Sequence, residues 1–284
     1  MRVGLVSPVL TQVPGVASPW EASAGAAEVV QVAQAADEAG LHHLTCSEHV
    51  AVPVDVAAVR GGTYWEPLAT LGHLAAVTSR VRLVTHVLVL GYHHPLQLAK
   101  ACGTLDALSG GRLVLGVGVG SLEAEFDLLG VPFAGRGAVA DEALRALRGA
   151  LGERLPSFEG EHFRYDGLVV EPHAEPGRVP VWVGGRSLRS LRRAVELGDG
   201  WAPFGLRPEE VGRLLDEVQP PSGFEVVLHA GRALDPLRDP AGAEQALRRL
   251  RDAGATVVGG SVAASDVDDH CRGLAALAEI GGAL

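Results

Sequence analysis

Short runs of β-branched and other apolar residues alternate with amphipathic stretches along the whole chain. Eight such runs have the composition of buried strands: residues 2–9, 42–48, 80–90, 112–120, 179–185, 200–204, 224–230 and 255–262. Near-continuous apolar runs are typical of parallel strands that helices cover. The helix candidates between them end at glycines, for example at Gly40 and Gly198. The pattern therefore predicts an α/β fold, a (β/α)8 TIM barrel, with a doubly wound open sheet as the alternative.

The interval between the fourth and fifth strand candidates, from Gly120 to Val179, is too long for a single helix and its turns. It contains a predicted helix over about residues 137–152, followed by the segment FEGEHFRYDGLVVEP, which predicts a two-stranded excursion. No interdomain linker is visible in the sequence. We therefore expect an insertion between strands 4 and 5 of a single domain, residues 1–284.

Charge and cysteine usage exclude several classes of protein. The net charge of −10 and the lack of any basic run argue against a nucleic-acid-binding surface. The three cysteines are far apart and form no CxxC pair, which fits a reducing cytosol without structural zinc. The chain shows neither a signal peptide nor an apolar run approaching the ~20 residues of a membrane span. We expect a soluble cytoplasmic protein, and the only lysine, Lys100, lies in a predicted helix, which disfavours Schiff-base chemistry.

An acid and an imidazole, Glu48 and His49, end the second strand in the stretch LTCSEHV. Neighbouring side chains on a strand point to opposite faces, so both reach one pocket only if the chain turns there. The carboxyl ends of barrel strands are where active sites lie. An unperturbed imidazole titrates near pH ~6.5 and suits general acid–base catalysis, and the adjacent Glu48 could orient it. The alternative is a solvated or locally hydrogen-bonded pair.

The stretch VGGRS, residues 183–187, joins a strand directly to a helix. Gly184 and Gly185 allow close approach of a ligand to the backbone, and Ser187 can cap the helix, whose first N–H groups favour an anion. Arg186 adds a forked donor for phosphate. The stretch predicts a phosphate-binding turn, with an ordinary strand-to-helix turn as the alternative.

Six histidines raise the question of a metal site: His42, His43, His49, His86, His93 and His94. The first strand has no HxH pair, and His42 and His43 open the second strand at its amino end, away from a barrel's active site. His93 and His94 precede Pro95 at a predicted helix start, where capping or packing is expected. We predict no metal site. The segment GVGVG lacks the spacing of a dinucleotide-binding fingerprint.

Four segments together resemble the luciferase-like monooxygenase superfamily, in particular its oxidoreductases that depend on the deazaflavin coenzyme F420. They are CSEHV (46–50) and the longer segments 66–100, 104–133 and 179–203, which occur in the order typical of the family. The resemblance implies a (β/α)8 barrel with an insertion, hydride transfer between F420 and a small organic substrate, and a homodimer. An FMN-dependent monooxygenase using molecular oxygen and a non-catalytic flavin- or deazaflavin-binding barrel are the alternatives.

The resemblance also implies roles for individual residues. Glu48 stands where the family has an acid that contacts the deazaflavin, and His49 matches the catalytic proton donor or acceptor. A non-prolyl cis peptide is expected at His86–Val87, behind the central ring, although His86 occupies a position that is commonly small. The remaining cofactor-binding positions are Val119 and Gly120 beside the cofactor, and Gly184, Gly185, Ser187 and Leu188 in the phosphate-binding turn, which Arg186 supplements.

Four aromatic residues are expected to wall the substrate side of the pocket: Trp20, Tyr64, Trp65 and Trp201. Core packing is the alternative for each. Ala124 stands where some relatives have a polar contact to the cofactor.

Overall fold

Eight parallel strands close into a barrel in the computed structural model, which describes residues 1–284. The strands are β1 Arg2–Leu5, β2 His43–Cys46, β3 Arg82–Thr85, β4 Leu113–Gly118, β5 Val181–Gly184, β6 Gly200–Ala202, β7 Glu225–His229 and β8 Val257–Gly260. Each strand pairs in parallel with the next, and β8 pairs with β1 in the register Arg2 to Val257. The barrel is confirmed, and the closed sheet rules out the doubly wound alternative.

Ten α-helices accompany the strands. They are α1 Ala26–Glu38, α2 Val54–Arg60, α3 Pro67–Val77, α4 Pro95–Ser109, α5 Glu123–Leu129, α6 Arg136–Leu151, α7 Leu188–Leu197, α8 Pro208–Val218, α9 Pro240–Asp252 and α10 Val267–Gly282. None of them combines the length and the apolar character that crossing a lipid bilayer requires.

The insertion between β4 and β5 has the predicted content. It contains α6 and an antiparallel pair of two-residue strands, Phe158–Glu159 and Arg164–Tyr165. The insertion is therefore confirmed, whereas the assignment of all 284 residues to one domain stays a prediction.

Alternate residues of the strands belong to two separate buried clusters. Residues such as Leu83 and Leu113 join the large cluster that includes the helix side chains, whereas the next residues in sequence, Val84 and Val114, join a cluster of six residues around Trp182. Since neighbouring strand residues point to opposite faces, the smaller cluster fills part of the barrel interior. The interior packing keeps the site at the carboxyl ends of the strands.

The third predicted strand, residues 80–90, is interrupted. β3 ends at Thr85, and a short strand, Leu88–Val89, resumes beside β4. The peptide bond between His86 and Val87 is cis, as expected. This interruption places the backbone of residues 86 and 87 at the mouth of the barrel, where both residues line the site described next.

Candidate active site

A cavity of about 870 Å³ opens at the carboxyl ends of the barrel strands. Its walls include most of the predicted site residues: Glu48, His49, His86, Val87, Val119, Gly120, Gly184, Gly185, Arg186 and Ser187. Leu188 is the exception, because its side chain packs against the hydrophobic core. The volume lies within the range of small-molecule and cofactor sites.

His49 is held by a residue that the sequence did not single out, Glu125. The Nδ1 atom of His49 lies 2.7 Å from Oε2 of Glu125, whose side chain is completely buried near the start of α5. The other carboxylate oxygen of Glu125 accepts the backbone N–H of Val50 at 2.6 Å, and Tyr92 donates its hydroxyl to Glu125 at 3.0 Å. This arrangement leaves Nε2 as the nitrogen of His49 that is free for a ligand, since the histidine side chain is 20% exposed in the cavity wall.

Two tyrosines adjoin this pair. The Tyr64 ring lies 4.3 Å from the His49 imidazole at an interplanar angle of 63°. Burial raises the pKa of Tyr64, and burial followed by the charge of Glu125 raises the pKa of Tyr92 well above its usual range. Both phenols therefore remain protonated at neutral pH, and Tyr92 acts as a permanent donor to Glu125.

Glu48 does not orient His49, which corrects the expectation drawn from their adjacency. Its Oε1 atom lies 2.6 Å from Nε2 of His93, and its Oε2 atom accepts the backbone N–H of Val89 at 2.6 Å. The two neighbours diverge where β2 ends, Glu48 towards the segment after β3 and His49 towards α5. Both still line the cavity, and their roles stay predictions.

The cis peptide forms part of the cavity wall and is tied to β2. Ser47 donates its hydroxyl to the carbonyl oxygen of His86 at 2.8 Å. The His86 ring packs against the ring of His229, with 4.5 Å between their centroids. Burial lowers the pKa of His86 to about 4, and burial together with the nearby His86 lowers the pKa of His229 to about 3. The pair is therefore neutral at physiological pH.

Glycines at the strand ends keep side chains away from Val87. A Cβ atom at Gly118 would lie 2.7 Å from one Val87 methyl group, and one at Gly184 would lie 3.1 Å from the other. Larger residues would therefore displace Val87 from the cavity wall. The glycines leave room for a flat ring to lie against Val87.

The predicted phosphate turn is a glycine turn that leads into a capped helix start. Gly185 has a φ of +132°, and a Cβ atom there would lie 2.6 Å from Cβ of Ser190. Ser187 caps α7 by accepting the N–H of Ser190 at 3.2 Å. The N–H groups of Leu188 and Arg189 have no protein acceptor. Leu188 can thus contribute its backbone, although its side chain points elsewhere.

Three arginines in the same end of the cavity were missed by the sequence analysis: Arg136 at the start of α6, and Arg189 and Arg193 on α7. The glycine turn, the free N–H groups and these guanidinium groups fit the anionic part of a cofactor.

Three of the four aromatic residues expected in the substrate wall are not there. Only Tyr64 lines the cavity. Trp201 is completely buried and donates its indole N–H to the Ser190 hydroxyl at 3.2 Å, which supports the phosphate turn from behind. Trp65 packs against the core, and Trp20 packs against His270. The core-packing alternative holds for these three.

The histidines outside the cavity have structural contacts. His94 accepts the N–H of Leu96 at 3.2 Å and so caps α4, as expected. His42 and His43 lie at the opposite, amino end of β2, with their Nδ1 atoms 3.1 Å apart. His93, expected only to cap or pack, instead binds Glu48.

The fold and the site define a class: a (β/α)8 barrel with a cofactor-sized cavity and a histidine–carboxylate pair at the strand ends. The chain belongs to the luciferase-like monooxygenase family, whose model matches residues 1–279. Two uncharacterized proteins of Mycobacterium tuberculosis strain H37Rv are similar in sequence. Rv0940c is 33% identical over 202 residues, covering 67% of this chain and 69% of its own length. Rv0953c is 30% identical over 206 residues, covering 67% and 73%.

Solved structures share the fold at lower sequence identity. The monooxygenase RslO1 from Streptomyces bottropensis has a TM-score of 0.78 and 21% identity, with 98% of both chains covered. An F420-dependent secondary alcohol dehydrogenase in complex with an F420–acetone adduct has a TM-score of 0.74 and 16% identity, covering 98% and 97% of the chains. The F420-dependent tetrahydromethanopterin reductase from Methanopyrus kandleri has a TM-score of 0.70 and 15% identity, covering 90% and 94%.

Proposed function

We propose that this protein is an oxidoreductase that transfers a hydride between coenzyme F420 and a small organic substrate, with His49 as the proton donor or acceptor. The observation that carries the proposal is the contact between His49 and the buried Glu125 at the edge of the cavity. A carboxylate on one imidazole nitrogen fixes the tautomer and the orientation of the other nitrogen, which is the arrangement of general acid–base catalysis.

The deazaflavin, when bound, supplies a two-electron hydride donor or acceptor, because carbon in place of the flavin N5 suppresses one-electron and oxygen chemistry. The protein then has to transfer one proton to or from the substrate. In alcohol oxidation, Nε2 of His49 takes the hydroxyl proton while the carbon loses a hydride, and Glu125 stabilises the imidazolium through Nδ1. In the reverse direction, the same imidazolium returns the proton to the oxygen.

The other residues of the site bind and orient the cofactor and the substrate. Glu48, held by His93 and the Val89 N–H, is placed to contact the ring system of the cofactor. The turn from Gly184 to Leu188 binds the phosphate, and Val87 backs the ring. Tyr64 packs on His49 and faces the substrate side.

Equilibrium fluorescence titration of the purified protein tests the cofactor. We expect F420 to bind tightly and FMN more weakly. Micromolar FMN affinity without F420 binding would instead support the FMN-dependent monooxygenase. Incubating the protein–F420 complex with a panel of small alcohols and following the bleaching of oxidised F420 tests turnover. Binding of F420 without its reduction by any alcohol of the panel would count against alcohol oxidation and favour the non-catalytic barrel.

We also propose a cytoplasmic homodimer. Relatives commonly dimerise through outer helices near the second and third repeats. The short helix α2, in the loop between β2 and α3, exposes Val54 and Val59 to 91% and 75%. Apolar side chains that stand free in the monomer are suited to an interface. Analytical ultracentrifugation distinguishes a dimer from a monomer of 29.5 kDa.

A further inference from the structure

Four guanidinium groups line one end of the cavity: Arg136, Arg186, Arg189 and Arg193. Only one carboxylate pairs with these arginines. It is Asp141, which binds Arg193 and lies 3.8 Å from Arg189. Arg136 and Arg186 have no carboxylate partner. This is a concentration of positive charge in a chain whose net charge is −10, and it lies where a ligand has access. This positive charge favours the binding of an anionic ligand.

Arg136 is held in position without being neutralised. Its Nε donates to the carbonyl of Gly120 at 3.1 Å, its Nη1 donates to the carbonyl of Phe133 at 3.3 Å, and the guanidinium lies 3.7 Å from the centre of the Phe133 ring. These contacts fix the group and leave its full charge and its Nη2 donors available. A fixed, uncompensated guanidinium is prepared for a carboxylate or phosphate.

The starts of α6 and α7 adjoin at this end. Arg193 donates to the carbonyl of Gly137 at 3.1 Å, so the first turn of α6 lies against α7. Arg189 also lies beside Gly137, and its side chain is 71% exposed. The phosphate turn, with Arg186 and the free N–H groups of α7, can account for one anion. Arg136 and Arg189 lie towards α6, and their positive charge is more than that one anion needs.

We propose that Arg136 and Arg189 bind a second anionic group, a carboxylate in the tail of the cofactor beyond its phosphate. The inference rests on the proposed function and deepens it, because F420 carries a phosphodiester followed by glutamate carboxylates, whereas FMN ends at a single phosphate. The second subsite makes the protein select a cofactor with a phosphate and carboxylates over one with a phosphate alone. The ring then serves the chemistry, and the tail provides much of the discrimination.

The test compares three ligands by equilibrium fluorescence titration: F420, FMN and the F420 chromophore that lacks the phosphate and glutamates. Arg189→Ala and Arg136→Gln are each expected to raise the Kd for F420 roughly tenfold, as loss of a charge-assisted contact does. The Kd for FMN should change less than about twofold, and that for the chromophore should not change. The Kd for F420 should also rise more steeply with salt than that for FMN.

Arg192→Ala is the matched control. Arg192 lies on the same helix, is 65% exposed, pairs with Glu217 at 3.4 Å and does not line the cavity. An equal loss of F420 affinity in this variant, or an equal loss of FMN affinity in the two test variants, would overturn the second subsite. In that case binding of the chromophore would still support the proposed cofactor. If neither deazaflavin binds, both proposals fail. Arg189→Ala alone decides the matter if Arg136→Gln does not fold, since Arg189 is a surface side chain.

Discussion

At the scale of single residues, two acid–imidazole pairs connect different segments of the chain at the site. Glu48 binds His93, and His49 binds Glu125, so the two adjacent residues of the LTCSEHV stretch have separate partners. A buried carboxylate without charge compensation is costly, and Glu125 is compensated by backbone N–H groups and the Tyr92 hydroxyl as well as by His49. We therefore propose Glu125 as a positioning residue for the His49 imidazole.

We expect His49→Ala to lower turnover about 100-fold or more, the usual contribution of general acid–base catalysis, while the Kd for F420 stays within a few-fold. Glu125→Gln should lower kcat by roughly 10- to 100-fold with little effect on cofactor affinity, because the amide no longer stabilises the imidazolium. Glu123→Gln, on the exposed side of α5, is the control and should behave as the wild type. The measurements are steady-state rates and cofactor titrations of all three variants. Normal turnover of His49→Ala would reduce this imidazole to a packing role.

At the scale of the elements, the junction between β5 and α7 creates the proposed phosphate turn. Gly185 adopts a φ that disfavours other residues, Ser187 and Ser190 close the first turn of the helix, and Trp201 of β6 donates to Ser190 from the core. The turn is thus supported on both sides and is formed before any ligand arrives, which reduces the entropy lost on binding.

Gly185→Ala is expected to destabilise the protein by about 1–3 kcal/mol and to weaken F420 binding, because the new Cβ meets Ser190 and the φ of +132° is strained. Gly149→Ala is the matched control. Gly149 lies in α6 with open space around its Cα, so alanine there should stabilise the protein by about 0.5–1 kcal/mol and leave binding unchanged. Urea unfolding and F420 titration check both variants. Equal stability of the two variants would show that the turn is not strained by a side chain.

At the scale of the whole molecule, the closed barrel buries imidazoles in its interior. Gly4 of β1 and Gly259 of β8 leave the space that the rings of His43 and His229 occupy. Neither ring nitrogen of His229 has a hydrogen-bond partner. Burial lowers the pKa values of His43, His86 and His229, so the folded protein keeps these imidazoles neutral.

This burial makes stability depend on pH. In the unfolded chain these histidines take up protons below pH ~6.5, whereas in the folded protein His86 does so only near a pKa of about 4 and His229 near about 3. The unfolded state therefore binds more protons, and the free energy of unfolding falls as the pH drops from ~6.5 towards ~4, by about 1.4 kcal/mol per pH unit for each such histidine.

Urea unfolding at pH 7, 6 and 5 measures this slope. His229→Leu should reduce the slope by about one proton and leave stability at pH 7 unchanged or higher, since no hydrogen bond is lost. His162→Gln, at an exposed position, should keep the wild-type slope. A slope that is the same in His229→Leu and the wild type would show that His229 does not remain neutral in the folded state.

The sequence by itself determined the features that depend on local pattern. Eight apolar runs between amphipathic stretches predicted the barrel, because burial on both faces of a strand leaves a continuous apolar signature. The order of Gly184, Gly185 and Ser187 predicted a capped glycine turn at the start of α7, since backbone conformation and capping depend on neighbouring residues, and its phosphate binding stays a prediction. The resemblance in turn indicated the cis bond at His86–Val87 and placed Glu48 and His49 at the cavity.

Only the tertiary structure decided which side chains meet. Glu125 is 76 residues from His49, and nothing in the segment EAEF distinguishes it from the exposed Glu123. Arg136 and Arg189 likewise belong to separate helices with many exposed arginines. Whether a polar side chain faces solvent or a partner depends on how the closed barrel orients each helix, and chain closure brings together groups that no local pattern relates. For the same reason Trp201 and Trp65 lie in the core and away from the cavity.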